Sequence, residues 1–314
     1  MLENFKKAIF RVLCLGLLGG GGGLMASQTP KELFDQGKEI LDFAVSGGGG
    51  TFRGDSLEAK KYYIQAKGYF EKACELNYAK GCVSLGGLYE GENLVIGEKN
   101  PRLKERLKKA IQYYSKACDL KDGDGCGFLG ISYEYGYSGV VKKDFKKAIQ
   151  YYVKACELDN GNACLGILLR SYDGKVNKQE AVQYLSKACE SNSGEGCYEL
   201  GVFYQGEKDK DLKKAVQYYS KACELQNSMG CSSLGDMHYI GESVVKNKKQ
   251  AMEKFEKACE LGYKQACKTV SYQTLCEQGV GETCEIVSLM VRCRLRGDLK
   301  ACGMEYDKEK ALGF

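Results

Sequence analysis

Two amphipathic patterns alternate along the chain. In the first, apolar or small residues recur at +3, +4, +7 and +8 from an alanine, as in Ala110, Tyr113, Tyr114, Ala117 and Cys118. That spacing is one stripe of an α-helix. The same stripe runs from Ala148 to Cys156 and from Ala215 to Cys223, with looser copies from Ala66 to Cys74, Ala181 to Cys189 and Ala251 to Cys259. In the second pattern a leucine, a glycine and an aromatic ring fall at +3, +4 and +7 from a cysteine. The copies are Leu85, Gly86 and Tyr89; Leu129, Gly130 and Tyr133; Leu200, Gly201 and Tyr204; and Leu234, Gly235 with His238 in the ring position. The patterns predict a Tyr-Tyr helix followed by a Leu-Gly helix, repeated. Repetition on this scale indicates an array of stacked helix pairs in which each unit contacts mainly its neighbours.

Glycine inside a helix costs about 1 kcal/mol relative to alanine. Its recurrence at one slot therefore predicts helices that cross too closely for a side chain. The copy after Cys164 has Leu168 in the glycine slot and Ser171 in the aromatic slot, so an altered crossing is expected there. The lysine before each Ala-Cys (Lys72, Lys116, Lys154, Lys187, Lys221, Lys257) lies off the stripe and is expected to face solvent. Gly91, Gly136, Gly174, Gly206 and Gly241 suit helix ends, and Asp144, Asn177, Asp211 and Asn247 suit helix starts. Successive stripe alanines are 44, 38, 33, 34 and 36 residues apart, and the variation sits in the loops after the Leu-Gly helices. Ahead of the array, Thr29-Pro30-Lys31-Glu32 has the form of a capping box opening a helix.

Composition adds little except at the N-terminus and in the cysteines. Net charge is +5 and the charges are dispersed, which argues against a nucleic-acid surface. Residues 1–26 have the form of a signal peptide. Lys6, Lys7 and Arg11 precede the apolar run Ile9 to Leu18, a glycine break follows, and cleavage falls after Ala26. The run is too short to span a bilayer; an uncleaved anchor is the other reading of it. Cys14 leaves with this segment, and Leu13 stands where a lipoprotein box requires a small residue.

Each stripe cysteine is followed eight residues later by a second: 74 and 82, 118 and 126, 156 and 164, 189 and 197, 223 and 231, 259 and 267. Cys276 and Cys284, then Cys293 and Cys302, continue at tighter intervals. Zinc sites favour closer cysteine hooks and often histidine, and the chain holds one His. Catalytic thiol chemistry is a further alternative. Pairing each cysteine with its nearest partner accounts for all sixteen beyond Cys14. Each bridge would close a tight corner between two helices and contribute about 2.5 kcal/mol in the chain-entropy model. Such a set belongs in an oxidising compartment. With the signal-like start, this predicts a secreted or periplasmic protein.

The run Leu-Gly-x-x-Tyr, Gly, Lys-Lys-Ala-x-x-Tyr-Tyr-x-Lys-Ala-Cys-Glu-Leu, then Gly-Cys resembles the Sel1-like repeat, and the C-x7-C pair in every unit resembles the Helicobacter cysteine-rich protein family. The resemblance implies an all-α fold, a right-handed αα superhelical solenoid related to tetratricopeptide repeats, with one disulfide per repeat. It implies the pairs Cys74–Cys82, Cys118–Cys126, Cys156–Cys164, Cys189–Cys197, Cys223–Cys231, Cys259–Cys267, Cys276–Cys284 and Cys293–Cys302. The expected organisation is a signal peptide at 1–26, a solenoid over 27–306 with about six repeats to 267, short capping helices over 268–306, and a tail at 307–314. The resemblance also implies penicillin binding or weak β-lactamase activity.

The residues give that activity little support. Serine β-lactamases use S-x-x-K with S-D-N and K-T-G elements. The one S-x-x-K, Ser243 to Lys246, falls in a loop; Lys268-Thr269-Val270 lacks the glycine of K-T-G, and no S-D-N occurs. Ser243 and Lys246 are the catalytic candidates. His238 occupies a packing slot. No metal site and no cofactor are expected. The function expected from the residues is therefore ligand binding in the concave groove lined by the Leu-Gly helices, where Phe128, Ser132, Arg170, Glu199 and Ser233 vary between copies while packing positions repeat; β-lactam hydrolysis is the alternative. Expected partners are a peptide, a host protein or a cell-wall fragment, with β-lactams as mimics of the last. No nucleic acid, no membrane span in the mature protein, and a monomer are expected.

Overall fold

The computed structural model describes residues 28–47, 56–91, 101–137, 139–206 and 210–311. The expected signal peptide at 1–26 lies outside the described residues, and so does the tail beyond 311. Fifteen helices lie among the described residues: α1 Pro30–Val45, α2 Leu57–Glu75, α3 Ala79–Gly91, α4 Pro101–Asp119, α5 Gly123–Tyr135, α6 Phe145–Glu157, α7 Gly161–Tyr172, α8 Lys178–Glu190, α9 Gly194–Gln205, α10 Leu212–Glu224, α11 Ser228–Ile240, α12 Lys248–Glu260, α13 Lys264–Glu277, α14 Gly281–Arg296 and α15 Leu299–Ala311. The only β feature among them is an isolated bridge, Tyr137 to Val141. The even-numbered helices α2 to α12 are the Tyr-Tyr helices. The odd ones, α3 to α11, are the Leu-Gly helices. Consecutive elements pack on one another through the whole array, as in an αα solenoid.

The caps follow the sequence. Thr29 and Glu32 form the capping box of α1. Ser56, Asp144, Asn177, Asp211 and Asn247 cap the Tyr-Tyr helices through their side chains. Among the expected glycine ends, Gly136 and Gly241 are C-caps with positive φ, whereas Gly206 is extended and Asp173 rather than Gly174 caps α7.

The corner between a Tyr-Tyr helix and the next Leu-Gly helix is built identically six times. The residue three past the cysteine turns left-handed: Asn77, Lys121, Asp159, Asn192, Gln226 and Gly262. The next backbone N–H then donates to the carbonyl of the alanine before the cysteine, as Asp122 N does to Ala117 O at 3.0 Å, which is a Schellman closure. That same residue starts the following helix; Asp122, Asn160, Ser193 and Asn227 accept from the backbone N–H three residues on. The small residue before the second cysteine lies directly on that alanine. A Cβ on Gly125 would fall 2.6 Å from Ala117 Cβ, and one on Gly230 would fall 2.5 Å from Ala222 Cβ. This approach holds the two cysteine Cα atoms 4.4–4.8 Å apart in the six repeats, and all six pairs are bridged, within the range a disulfide requires.

Except at α7, the tightest packing is between each Leu-Gly helix and the Tyr-Tyr helix that follows it. The glycine receives the face of the second aromatic ring of that helix. A Cβ on Gly130 would lie 2.6 Å from Tyr152 Cε1, and one on Gly235 would lie 2.7 Å from Phe255 Cε1; Gly86 receives Tyr114 and Gly201 receives Tyr219 in the same way. Gly37 on α1 receives Phe70 and so acts as a first Leu-Gly helix. The first ring stacks on the aromatic three residues after the glycine: Tyr89 on Tyr113, Tyr133 on Tyr151 and Tyr204 on Tyr218, all within 12° of parallel. The altered crossing expected after Cys164 is present. Leu168 and Leu185 replace glycine and ring, both are fully buried, and α7 contacts α8 far less than its counterparts do.

Three expectations are corrected. First, α13, α14 and α15 are 14, 16 and 13 residues long, as long as the other helices rather than short. Cys267 and Cys276 both lie on α13, so one helix closes one corner and opens the next. Second, α15 runs to Ala311, past the expected boundary at 306. Third, of the six stripe lysines only Lys72, Lys154 and Lys187 are exposed. Lys116 folds back, and its Nζ donates to Cys74 O of the preceding repeat at 2.7 Å.

Candidate functional site

The Leu-Gly helices form a row in which α3 touches α5, α7 touches α9 and α9 touches α11. A polar position lies four residues after each glycine slot. Where the next helix brings a tyrosine hydroxyl, that position accepts from it. Tyr114 donates to Glu90 at 2.7 Å, Tyr152 to Glu134 at 2.7 Å, and Tyr219 to Gln205. Where the next helix brings Leu185 or Phe255, the position holds Tyr172 or Tyr239 instead. Each buried hydroxyl is thus matched by an acceptor. Burial and the hydrogen bonds to these carboxylates raise the Tyr114 and Tyr152 phenols well above their usual range.

The five expected groove residues separate into different roles. Phe128 is half-buried and stacks on Tyr114 with centroids 4.7 Å apart. Ser132 is fully buried, and its hydroxyl donates to Phe128 O at 2.7 Å; it packs inside the helix row rather than facing out. Arg170 bridges α7 to Glu134 of α5, covers the Tyr152 ring at 4.6 Å, and donates to Gly166 O at 2.8 Å. Glu199 is 4% exposed, and its Oε2 has no hydrogen-bond partner. Burial, with the Glu195 carboxylate nearby, pushes its carboxyl up to about 8, so it is largely protonated at neutral pH. Ser233 is half-buried. Ser132 and Glu199 vary between copies yet are buried, and variation alone does not separate such residues from ligand contacts.

Ser243 and Lys246 lie exposed in the loop between α11 and α12, with Ser243 at φ 60°. An exposed serine in a loop has neither the buried helix start nor the enclosed base that acylation requires. His238 is half-buried in its packing slot, and its carbonyl accepts from the Asn247 N–H that starts α12. No cluster of three or more His, Cys, Asp or Glu side chains poised for a metal occurs among the described residues.

Two features escaped the sequence reading. The first is an exposed apolar face. Ile131 and Tyr135 on α5, and Leu165, Leu169 and Tyr172 on α7, are 40–70% exposed. Their spacings of four and three residues put them on one face of each helix. The apolar character of +1 and +5 from the cysteine was visible in the sequence, but only the structure separates it from the buried stripe.

The second is that α14 folds back over the far end of the row. Arg294 donates to both oxygens of Asp236 on α11 at 3.1 and 2.7 Å and to Thr269 Oγ1 at 3.0 Å. Leu295 joins a buried cluster with Tyr219, Leu234 and Met237, against which Tyr198 and Val202 pack. The Gln205 side-chain amide donates to Leu295 O at 2.6 Å. Burial pushes the Asp236 carboxyl up to about 6 even beside this guanidinium.

Paired helices, a repeated glycine–aromatic crossing and a bridge at every corner define a disulfide-stapled αα repeat solenoid. The Sel1 repeat model matches residues 46–78, 104–122, 124–160, 165–193, 194–227 and 228–263, and the chain belongs to that family. Among curated relatives, "Putative beta-lactamase HcpC" of Helicobacter pylori strain 26695 is 47% identical over 89 residues, 28% of this chain and 24% of that protein. "Beta-lactamase HcpA" of H. pylori strain J99 is 41% identical over 112 residues, 36% of this chain and 34% of that protein. The matches thus span about a quarter to a third of these relatives' lengths. Among solved structures, Helicobacter pylori cysteine rich protein B is 58% identical, with a TM-score of 0.38, over 42% of this chain and 98% of that one. Eight bridges are formed among the described residues, which fits an oxidising, extracytoplasmic location. No helix among the described residues is long and apolar enough to cross a membrane.

Proposed function

We propose that this protein is an exported, rigid scaffold that binds a partner polypeptide on the row of Leu-Gly helices. The observation that carries the reading is the bare apolar face of α5 and α7. Large exposed apolar patches on otherwise polar surfaces mark interaction sites, and αα solenoids present such rows as binding surfaces. The disulfides support the role: a stapled array keeps the row in register without a ligand, which lowers the ordering cost of binding. A cell-wall peptide is one partner of this chemistry; a host protein segment is another. The test is calorimetric titration of peptide pools against the oxidised protein and against Leu169→Asp. Saturable binding lost in the variant supports the reading, and binding that ignores the variant removes it.

A second reading, hydrolysis of the β-lactam amide, rests on the names of the relatives. Its nucleophile would be Ser243 with Lys246 as base, and both lie in an exposed loop. A chromogenic cephalosporin assayed beside Ser243→Ala tests it. Turnover that disappears in the variant would establish the hydrolase.

A further inference from the structure

The row of Leu-Gly helices is already occupied at one end by a helix of the same chain. On α9, the positions one and five residues after the cysteine are Tyr198 and Val202. Both pack against the cluster that contains Leu295 of α14. The corresponding positions on α7 are Leu165 and Leu169, and on α5 the second is Ile131. These three are bare, at 40%, 53% and 41% exposure. The surface of α9 and α11 that meets α14 adjoins the bare surface of α7, because α7 packs directly on α9, and the Arg170–Glu134 bridge ties α5 to α7.

We propose that the bare stretch on α5 and α7 docks an amphipathic α-helix of a partner protein, through an uncharged edge of leucine-class side chains. This rests on the polypeptide-binding reading above and narrows it to a helical partner. Three observations select that occupant. The segment seated on the same face further along, α14, is a helix and meets it through Leu295 and a last-turn carbonyl. The bare residues stand at i and i+4 on α5, Ile131 and Tyr135, and at i and i+4 on α7, Leu165 and Leu169. Two such ridges side by side form the kind of groove that accepts the i, i+4 ridge of a third helix. The floor also carries no net charge. Glu134 and Arg170 neutralise each other across the two helices, with the guanidinium held over the Tyr152 ring, so a charged contact edge would be desolvated without a partner.

The experiment is selection from two displayed libraries on the immobilised, oxidised protein. One is built on a helical scaffold and the other is linear and unstructured. Enriched peptides are then measured by fluorescence anisotropy against wild type, Leu169→Asp, Ile131→Asp and the distant control Leu299→Asp on α15. All three positions are exposed, so each variant should fold, and circular dichroism melts confirm that. The expected result is enrichment of helical peptides with apolar residues at i and i+4, weakened at least about tenfold by Leu169→Asp or Ile131→Asp, as for central interface residues, and unaffected by Leu299→Asp. A proline placed mid-peptide should abolish binding. Peptides that tolerate the proline but still respond to Leu169→Asp would overturn the helical partner and leave the broader binding reading standing. Failure of both libraries to yield a saturable ligand sensitive to either face variant would overturn both.

Discussion

Gly130→Ala places a methyl group 2.6 Å from Cε1, 2.7 Å from Cδ1 and 3.1 Å from Cζ of Tyr152. The ring cannot yield. Its hydroxyl donates to Glu134 at 2.7 Å, the Arg170 guanidinium covers it at 4.6 Å, and the residue is 5% exposed. Helix propensity alone would reward the substitution by about 1 kcal/mol. Overpacking of a fixed core typically costs about 1–3 kcal/mol, and displacing the ring also loses a buried hydrogen bond of roughly 1 kcal/mol. The net expectation is destabilisation of about 1–3 kcal/mol, opposite in sign to the propensity effect. The measurement is denaturant unfolding of the oxidised protein, with equal m-values required of wild type and variant. A double-mutant cycle with Tyr152→Leu isolates the contact, and the native Leu168–Leu185 pair shows that the site can be filled from the helix side. The double variant should be more stable than the sum of the singles by at least about 1 kcal/mol. A Gly130→Ala protein as stable as wild type or more so, or a cycle with no coupling, would refute the close-crossing account.

Other expectations follow from the same geometry. Tyr219→Phe removes the donor to Gln205 and should cost about 1 kcal/mol by denaturant unfolding, whereas Phe255→Tyr should gain nothing, because Phe255 is fully buried and an added hydroxyl overpacks its site, where Tyr239 rather than a carboxylate or amide holds the acceptor position. Replacing Cys223 and Cys231 together by serine should lower stability by about 2–3 kcal/mol in the chain-entropy model, with the other bridges intact by mass spectrometry. The Glu199 carboxyl is raised to about 8 in the folded protein, above its unfolded value near 4.3. Its stabilising contribution is therefore complete below the unfolded value and is lost as pH rises through about 8. Wild type should lose up to about 1 kcal/mol per pH unit from this group between pH 5 and 8. Glu199→Gln should flatten that decline in unfolding curves measured across the range.

The repeat, its corners and its bridges were legible because each depends on residues close in sequence. An alanine and a glycine eight residues apart determine whether two cysteines can meet, and an Asp or Asn at the start of a helix caps it locally. The tyrosine–acceptor ladder was also visible in principle, since Glu90, Glu134 and Gln205 precede Tyr114, Tyr152 and Tyr219, while Tyr172 and Tyr239 precede Leu185 and Phe255. The candidate site was far less legible. Asp236 finds Arg294 58 residues away, and no local pattern announces that α14 will return across α11 and α9. Ser132 and Glu199 resemble groove residues only while their burial is unknown. Leu165 and Leu169 hold the positions that Tyr198 and Val202 fill on α9, where the cluster with Leu295 covers them, so their exposure depends on where α14 stops.

The central claim is that each pair of consecutive cysteines closes its own corner, which makes the array rigid before any partner arrives. Peptide mapping of the unreduced protein, with free thiols blocked at the outset, tests it directly. The account predicts the bridges 74–82, 118–126, 156–164, 189–197, 223–231, 259–267, 276–284 and 293–302, with no alkylated cysteine among the sixteen. Alkylated cysteines, or bridges joining different corners, would contradict it.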